Sequence, residues 1–493
     1  MRPVLLNLVL LFFSFSSLMA QNGSMPGLDA AIKALDNEAD MVPANWGICV
    51  IDVNSGQVVS GINIHKNVVT ASTMKSLTTA SALAILGPDF RFKTLLQYDG
   101  KIDANGVLLG NIYIKGDGDP ALGSDRFGEK YETATILNAW TRAIQAAGIK
   151  SINGKVIGDA TIFTTQMTPG EWPWEDMGNY YGAGASGLNI NENSYRIDLK
   201  PGSTVGSATE ILRTEPPMSD IVFFNELTTG RVGSGDNAYI FGAPYTFVRH
   251  IRGTIPAGVA SFSIKGSIPD PALYAAQWLT DELNKCGVVI SQKASTMRLE
   301  KMAGTSTSNT RSTIQIHESP SLADIVYHTN MRSVNLFAEA LAYRLAVKGG
   351  EKGSAEDAVE VMEAYWKNQG VNTRGMSIKD GSGLSPNNSL STYQLASILR
   401  KAALASYSDD FIESLPLAGK SGSLSSMLRG TTAEGRLRAK SGFIAGVRGY
   451  AGIVDTVNGK KLAFAMISNN YACSAGQMRR KLETLMVSLA DGK

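Results

Sequence analysis

The sequence predicts an α+β protein whose main domain is built from both ends of the chain. Strand and helix patterns fill the chain up to residue 87, and strands followed by a closing helix fill the part after residue 437. Between them lie short strand patterns separated by glycine and asparagine turns. We therefore expect one antiparallel sheet with helices packed on it (21–90 and 309–493), interrupted by a β-rich insert (91–308) of one domain or, as we expect, two.

The first twenty residues have the pattern of a secretory signal peptide. Arg2 supplies positive charge, residues 4–18 are apolar, and Leu18-Met19-Ala20 is an acceptable cleavage site. The alternative is an uncleaved anchor, but the apolar run is short for a membrane span and a polar segment follows it. No later run is long and apolar enough to cross a bilayer. The pattern predicts export, with residues 1–20 removed.

Five strands are predicted for the main sheet. Two come from each end of the chain and bracket a fifth that contains Lys440, whose alternation of apolar and basic residues is typical of an edge strand. The predicted strands are 46–53, 57–62, 437–443, 447–455 and 461–468. Helices packed on this sheet include one from 72 to 87 and one from about 476 to 489, giving a layered α+β domain.

The helix from 72 to 87 carries the candidate nucleophile. Ser72 stands in its first turn, and Lys75 lies one turn on, on the same face. A serine hydroxyl becomes a nucleophile when a neighbouring base takes its proton, and a lysine amine is such a base if its site lowers its pKa. The similar run from Ser295 to Arg298 cannot act in this way because arginine does not release its proton.

The insert is predicted to be strand-rich with two helices. The strand patterns are 92–98, 111–115, 195–199, 239–247 and 261–264, the helices are 132–147 and 271–285, and 301–313 is predicted as the return linker. The sequence alone permits a structural role for the insert as readily as a role in placing substrate.

Two further motifs follow the insert. Ser333-Val334-Asn335 opens an apolar-periodic run that predicts a helix, and Lys440-Ser441-Gly442 lies in the predicted edge strand. A second Lys-Ser-Gly at Lys420 stays as an alternative, although its surroundings indicate a loop. Ser-x-Asn also occurs at Ser151, Ser385 and Ser468, and neither of the last two opens a helix.

The order Ser-x-x-Lys, Ser-x-Asn and Lys-Ser-Gly resembles the motif set of penicillin-binding proteins and serine β-lactamases. The long gap before Ser333 and the runs at 116–122, 171–176 and 380–385 resemble the class C low-molecular-mass penicillin-binding proteins, which are D-alanyl-D-alanine carboxypeptidases and endopeptidases of the S13 type. The resemblance implies a DD-peptidase/β-lactamase-like fold, a five-stranded antiparallel sheet with helices on both faces. Val334 stands where Asp is frequent in the family, and Ser441 stands where Thr is frequent. Neither change indicates that the enzyme is inactive.

The resemblance also implies roles for the acylation machinery. Ser72 attacks the penultimate carbonyl of a D-Ala-D-Ala end, and Lys75 accepts its proton. Asn335 orients Lys75 and holds the substrate amide, while Ser333 relays a proton to the leaving amine.

A second set of residues is implied to bind substrate. Lys440 and the Ser441 hydroxyl hold the terminal carboxylate, and Gly442 leaves room for substrate beside the strand. The backbone N–H groups of Ser72 and Phe443 form the oxyanion hole. We expect Glu339 to form a structural salt bridge and Trp172 and Trp174 to pack against the Pro173 turn, with a sugar-peptide groove as the alternative.

Composition bounds the partners. The 46 basic and 44 acidic residues nearly cancel, which gives no reason to expect binding to nucleic acid or to an anionic membrane. The four histidines lack metal-ligand spacing, and the implied chemistry needs no metal or organic cofactor. Cys49, Cys286 and Cys473 allow at most one disulfide. The expected partners are peptidoglycan stem peptides in the periplasm, with β-lactams as covalent inhibitors, and the sequence leaves homo-oligomerisation open.

Two rival functions stay open on the sequence. A serine β-lactamase or esterase would use the same fold and would turn β-lactams over instead of keeping them as a stable acyl group. A catalytically silent wall-binding scaffold would keep the fold without releasing D-alanine. The intact Ser72, Lys75, Ser333, Asn335 and Lys440 speak against the scaffold.

Overall fold

The computed structural model describes residues 25–493. The predicted signal peptide at 1–20 lies outside this range. The main sheet has five strands, all antiparallel. In spatial order they are Val58–Ile62, Asn45–Asp52, Lys461–Asn469, Val447–Asp455 and Leu437–Ile444. The predicted fold class is confirmed.

The strand that contains Lys440 lies at the edge of this sheet. The expectation that two strands from each chain end bracket it is wrong, whereas its edge-like alternation indicated the correct place. Lys461–Asn469 pairs with both Asn45–Asp52 and Val447–Asp455, so the N-terminal strands join the C-terminal hairpin on its far side. The outer edge of Leu437–Ile444 is therefore left beside the turn Ala71–Thr73.

Helices cover both faces of the sheet. Alternate side chains of its second strand enter two different cores: Ile48 and Val50 lie in one, Cys49 and Ile51 in the other. A strand buried on both faces is apolar throughout, which explains the unbroken run from Trp46. One face is covered by Pro26–Asp36 and Ala475–Asp491; the helices of the other layer are Met74–Leu86, Leu322–Arg332, Asn335–Lys348, Ala355–Asn368, Thr392–Ala403 and Ser408–Ser414.

The helix Met74–Leu86 is central to the larger core. Its first ten residues are buried, including four hydroxyl side chains. These four hydroxyls donate to backbone carbonyls, as in the 2.6 Å bond from Ser76 to Thr73 and the 2.8 Å bond from Ser81 to Leu77. Each of the four buried hydroxyl groups therefore has a hydrogen-bond partner. The helix ends at Gly87, whose φ of 87° favours glycine. This rigid environment fixes the turn that bears Ser72.

The region between Lys93 and Glu318 contains further sheets. One mixed sheet has the order Ser295–Thr296, Val156–Asp159, Ile112–Lys115, Lys93–Tyr98 and Ser312–Glu318. A smaller one has the order Val289–Ile290, Ser151–Ile152, Val107–Leu109 and Lys101–Ile102. The helices Thr133–Ala146, Pro271–Lys285 and Met297–Met302 belong to this region. The helices predicted at 132–147 and 271–285 are present.

Two more sheets complete this region. Glu210–Glu215, Ser194–Lys200 and Phe262–Ser267 form one; Val222–Asn225, Val248–Pro256, Thr228–Gly230 and Asn237–Phe241 form the other. The strand predicted at 239–247 ends at Phe241. The predicted linker at 301–313 instead contains a helix end and the start of Ser312–Glu318, which pairs with Lys93–Tyr98. The boundaries of an insert at 91–308 stay a prediction.

Candidate active site

Ser72 lies in the 3-10 turn Ala71–Thr73, which leads directly into the helix Met74–Leu86. The next helical turn brings Lys75 alongside, and its Nζ donates to Ser72 Oγ at 3.0 Å. Ser72 is partly exposed, whereas the Lys75 side chain is fully buried. The hydroxyl can therefore meet a substrate while the amine behind it is shielded from water.

Three oxygens surround the Lys75 amine. Besides Ser72 Oγ, it donates to Asn335 Oδ1 at 2.5 Å and to the backbone carbonyl of Ser382 at 2.7 Å. Burial lowers the pKa of Lys75 to about 8, although Asp380 and Glu339 oppose the shift. An amine with this pKa is partly neutral near neutral pH, which a general base requires.

Ser333 and Asn335 reach the site because two helices meet between them. Leu322–Arg332 ends at Ser333, whose φ of 58° is left-handed, and Asn335 begins the next helix. Asn335 bonds to Lys75 through its oxygen, and its Nδ2 donates to the Tyr181 carbonyl at 2.7 Å. One of the two N–H groups of this amide, which is expected to hold substrate, is thus already used by the region between Lys93 and Glu318.

Lys440 faces Ser333 from the edge strand. Its Nζ is buried and donates to Ser333 Oγ at 2.9 Å and to the Ser441 carbonyl at 2.8 Å. Burial, together with the charge of Lys75, lowers the pKa of Lys440 well below its usual range. Ser441 Oγ bonds to Ser423 Oγ at 2.8 Å, and the Phe443 side chain is exposed. Both lysines therefore reach one site through serine hydroxyls.

Gly442 brings the edge strand against the Ser72 turn. A Cβ atom placed there would lie 2.8 Å from the Thr70 carbonyl oxygen and 3.0–3.1 Å from Thr73 atoms. The structure therefore gives a reason for this glycine besides the predicted room for substrate, namely room for the nucleophile's own turn.

The alternative motifs lie elsewhere. Lys420 is exposed and pairs with Glu434 at 2.7 Å. Ser468 lies in a central strand of the main sheet and Ser151 in a short strand of the intervening region. Ser385 is buried in the loop after Asp380, where its N–H donates to that carboxylate. In the described structure, none of the four has a hydrogen bond to Ser72 or Lys75.

Sequence reasoning missed the support behind Lys75. Within residues 25–493, Glu339 forms no salt bridge: it is buried and accepts the N–H groups of Gly381 and Ser382 at 3.0 and 2.7 Å. Burial and Asp380 raise the pKa of Glu339 to about 8. Both carboxylate oxygens thus orient the loop whose Ser382 carbonyl binds Lys75. The family-like run at 380–385 was the available signal for this loop.

Asp380 and Trp172 complete that support. Asp380 accepts the N–H groups of Gly383 and Ser385, each at 2.6 Å, and the Trp172 indole N–H at 2.8 Å. Trp172 is buried, whereas Trp174 is 56% exposed. The expectation that both tryptophans pack against the Pro173 turn does not fit the exposed Trp174, and it stays a prediction for Trp172.

The arrangement suits acyl transfer by a serine. It contains a partly exposed hydroxyl, a buried amine within hydrogen-bonding distance of it, and a second buried amine that can become charged when it meets an anionic substrate group. Within residues 25–493, no cluster of three or more His, Cys, Asp and Glu side chains could hold a metal ion. In the same range, no helix combines the length and apolar character of a membrane span.

Comparisons with known proteins cover nearly the whole described chain. The family profile described as "D-Ala-D-Ala carboxypeptidase 3 (S13) family" matches residues 28–491. The D-alanyl-D-alanine carboxypeptidase of Actinomadura sp. strain R39 is 26% identical over 466 residues, which cover 92% of this chain and 83% of that protein. D-alanyl-D-alanine carboxypeptidase DacB of Haemophilus influenzae is 24% identical, with coverage of 89% and 88%.

Solved structures show the same fold. Penicillin binding protein 4 (dacB) of Haemophilus influenzae superposes with a TM-score of 0.76 at 22% identity, over 91% of this chain and 96% of the other. A second structure of that protein, complexed with a β-lactam, gives a TM-score of 0.73 at 21% identity, over the same shares of the two chains.

Proposed function

We propose that Ser72 is the acylated nucleophile of this chain, which belongs to the D-Ala-D-Ala carboxypeptidase 3 (S13) family. The chain is accordingly a D-Ala-D-Ala carboxypeptidase acting on peptidoglycan. The observation that carries the proposal for Ser72 is the position of Lys75, whose buried amine lies 3.0 Å from the serine hydroxyl.

In the acylation step, Ser72 Oγ attacks the carbonyl carbon of the penultimate D-Ala, and its proton passes to the neutral amine of Lys75. The oxyanion is stabilised by the N–H groups of Ser72 and Phe443, at about 3 kcal/mol for each donor. The C–N bond then breaks. Ser333 relays the proton held by Lys75 to the departing D-Ala amine, which leaves Lys75 neutral again; the 2.9 Å bond between Ser333 Oγ and Lys440 Nζ supports the position of Ser333.

Lys440 also binds the terminal carboxylate of the substrate, together with the Ser441 hydroxyl. Burial disfavours the charged form of Lys440, so an arriving carboxylate stabilises the ammonium and gains a strong charge-assisted hydrogen bond. In deacylation, water attacks the acyl carbonyl, Lys75 takes a proton from that water, and Ser72 leaves with a proton. Asn335 keeps Lys75 in place through both steps.

The same chemistry extends to crosslinks, in which the second D-Ala is replaced by an amine of a neighbouring peptide. It also extends to β-lactams, whose strained amide acylates Ser72 and hydrolyses slowly. The signal-peptide pattern at residues 2–20 supports export and a periplasmic site of action.

Labelling with a fluorescent penicillin tests the proposal. Purified wild-type protein is expected to carry a stable label on the peptide that contains Ser72, as mapped by mass spectrometry. Ser72→Ala is expected to stay unlabelled. Ser76→Ala is the matched control, because Ser76 lies one turn away and bonds only to the Thr73 carbonyl. Absence of label on folded wild-type protein would overturn the proposal, and a label lost within seconds would favour a β-lactamase.

A further inference from the structure

One sheet of the intervening region exposes a row of aromatic side chains. Alternate residues of its strands point to opposite faces, so Ile240 and Ile251 are buried while Tyr239 is 44% and Phe224 is 50% exposed. We define the aromatic face as the outer surface formed by Phe224, Tyr239, Phe241, His250 and the neighbouring Trp174. A contiguous exposed apolar patch on a soluble protein marks a binding surface.

The rings of the aromatic face lie side by side across three strands. His250 stacks on its register partner Phe224, with ring centroids 4.9 Å apart and 12° between the planes. Phe241 pairs with His250 on the other side, and its ring lies 6.4 Å from Tyr239 and 5.8 Å from Trp174. The surface is therefore an extended platform, longer than a single ring.

This platform is joined to the active site. Asn179 Oδ1 accepts the N–H of Ile240, which lies between Tyr239 and Phe241, at 3.0 Å. Two residues on, the Tyr181 carbonyl accepts from Asn335 at 2.7 Å. Gly178 lies so close to Ile240 that a Cβ atom there would overlap its carbonyl. The strand Asn237–Phe241 is thus fixed to the segment around Tyr181, which in turn contacts Asn335, the hydrogen-bond partner of Lys75.

The cation that lies over the platform is paired. Arg252 donates to both carboxylate oxygens of Glu226 at 3.2 Å, and the His250 ring nitrogen lies 3.4 Å from the same carboxylate. The Arg252 guanidinium also lies 5.7 Å from the Phe241 ring centroid. A surface whose cation is already paired does not attract nucleic acid or an anionic membrane, and it fits a neutral polymer with hydrogen-bonding groups at its edges.

We propose that the aromatic face binds the glycan strand of peptidoglycan and thereby presents the attached stem peptide to Ser72. A pyranose ring offers a face of C–H groups that stacks on an aromatic ring, while its hydroxyls bond to edge groups such as Arg252 and Glu226. A glycan whose carboxyl groups are amide-linked to peptides is neutral, as the surface requires. The inference rests on the proposed function, because the glycan strand is the polymer to which the proposed substrate, the stem peptide, is attached.

Direct binding tests the inference. The probe is a set of peptide-free glycan strands, prepared from peptidoglycan by amidase treatment, amidated at the freed carboxyl groups so that they stay neutral, and sorted by length, and calorimetry measures Kd. Wild-type protein is expected to bind strands long enough to span several rings. Trp174→Ser and Tyr239→Ser are each expected to raise Kd at least tenfold. Tyr327→Ser is the matched control, because this tyrosine is 42% exposed on a helix away from the platform.

Several outcomes would overturn the inference: no binding by wild-type protein, equal binding by the platform variants, or binding only when stem peptides are present. A change of oligomeric state in the variants would instead assign the face to a second copy of the chain. If a variant fails to fold, radical footprinting of wild-type protein decides, since the glycan must protect Trp174 and Tyr239. Penicillin labelling is independent of glycan, so failure of the proposed function is recognised separately.

Discussion

The Nζ atom of Lys75 lies 3.0 Å from Ser72 Oγ and 2.7 Å from the carbonyl oxygen of Ser382, with the whole lysine side chain buried. Burial disfavours the ammonium, whereas the nearby carboxylates of Asp380 and Glu339 favour it. The result is an amine that is held in one position and whose pKa is lowered to about 8. The buried surroundings of Lys75 thus set both the position of its amine and its protonation.

Acylation by a β-lactam is expected to accelerate as pH rises to about 8 and to level off above it. Only the neutral amine accepts a proton, so below a pKa of about 8 the active fraction falls tenfold for each pH unit. Stopped-flow measurement of acylation from pH 5 to 10 checks this. A profile that is flat across pH 6–9 would contradict a titrating Lys75 as the base.

Glu339→Gln is expected to lower both stability and the pH midpoint of acylation. Both Glu339 oxygens accept backbone N–H groups, and an amide offers only one acceptor, so at acidic pH the loss is about 1–3 kcal/mol of unfolding free energy. The loss shrinks as pH rises towards 8, because the raised pKa of Glu339 means that its ionisation costs stability in the wild-type protein and not in the variant. Glu339 raises the pKa of Lys75, so removing its charge moves the midpoint to lower pH. Denaturant unfolding and the acylation profile check these effects. Glu360→Gln, at an exposed position, should change neither.

The sequence could predict those parts of the site that depend on local spacing. Ser72 and Lys75 lie three residues apart on one helix, so helical geometry alone brings them together. The Ser382 carbonyl and the Tyr181 carbonyl could not be foreseen, because a backbone acceptor carries no side-chain signal and its place depends on tertiary packing. The edge position of the Lys440 strand was indicated by its alternation, but the pairing order of the sheet was not.

Trp172→Phe is expected to slow acylation more than its effect on folding explains. The substitution removes the indole N–H, which donates a hydrogen bond to Asp380, and Asp380 orients the loop behind Lys75. A hydrogen bond to a charged group contributes about 1.5–3 kcal/mol. Trp366→Phe is the matched control: its N–H is buried and bonds to Ser81 at 2.8 Å, away from the loop. Acylation rates and melting temperatures of the two variants check the difference. Equal acylation rates would argue against a positioning role for Trp172.

Lys440→Met is expected to reduce carboxypeptidase activity about 10- to 100-fold, as the loss of a charge-assisted bond of about 1.5–3 kcal/mol requires. The fold should not suffer in proportion, because replacing a buried cation by an apolar side chain of similar volume relieves desolvation. D-alanine release and thermal unfolding are the measurements. Lys420→Met removes the cation of the other Lys-Ser-Gly and should leave the activity within twofold, since Lys420 is exposed and pairs with Glu434. If Lys420→Met lost activity and Lys440→Met did not, the substrate-binding lysine would be Lys420 instead of Lys440.

Gly442→Ala is expected to slow acylation strongly, because the edge strand touches the Ser72 turn at this residue. A Cβ atom would lie 2.8 Å from the Thr70 carbonyl, so either the strand or the turn must move. Gly449 is its direct register partner on the next strand and offers a matched control. The three atoms nearest to a Cβ atom at Gly449 all belong to the side chain of Ile467, so Gly449→Ala should cost stability without displacing the turn. Melting temperatures first establish how far each variant is destabilised. The acylation rates of the two variants are then compared, and only Gly442→Ala is expected to acylate slowly. If both variants acylate equally fast, close packing of the edge strand on the nucleophile's turn does not limit catalysis.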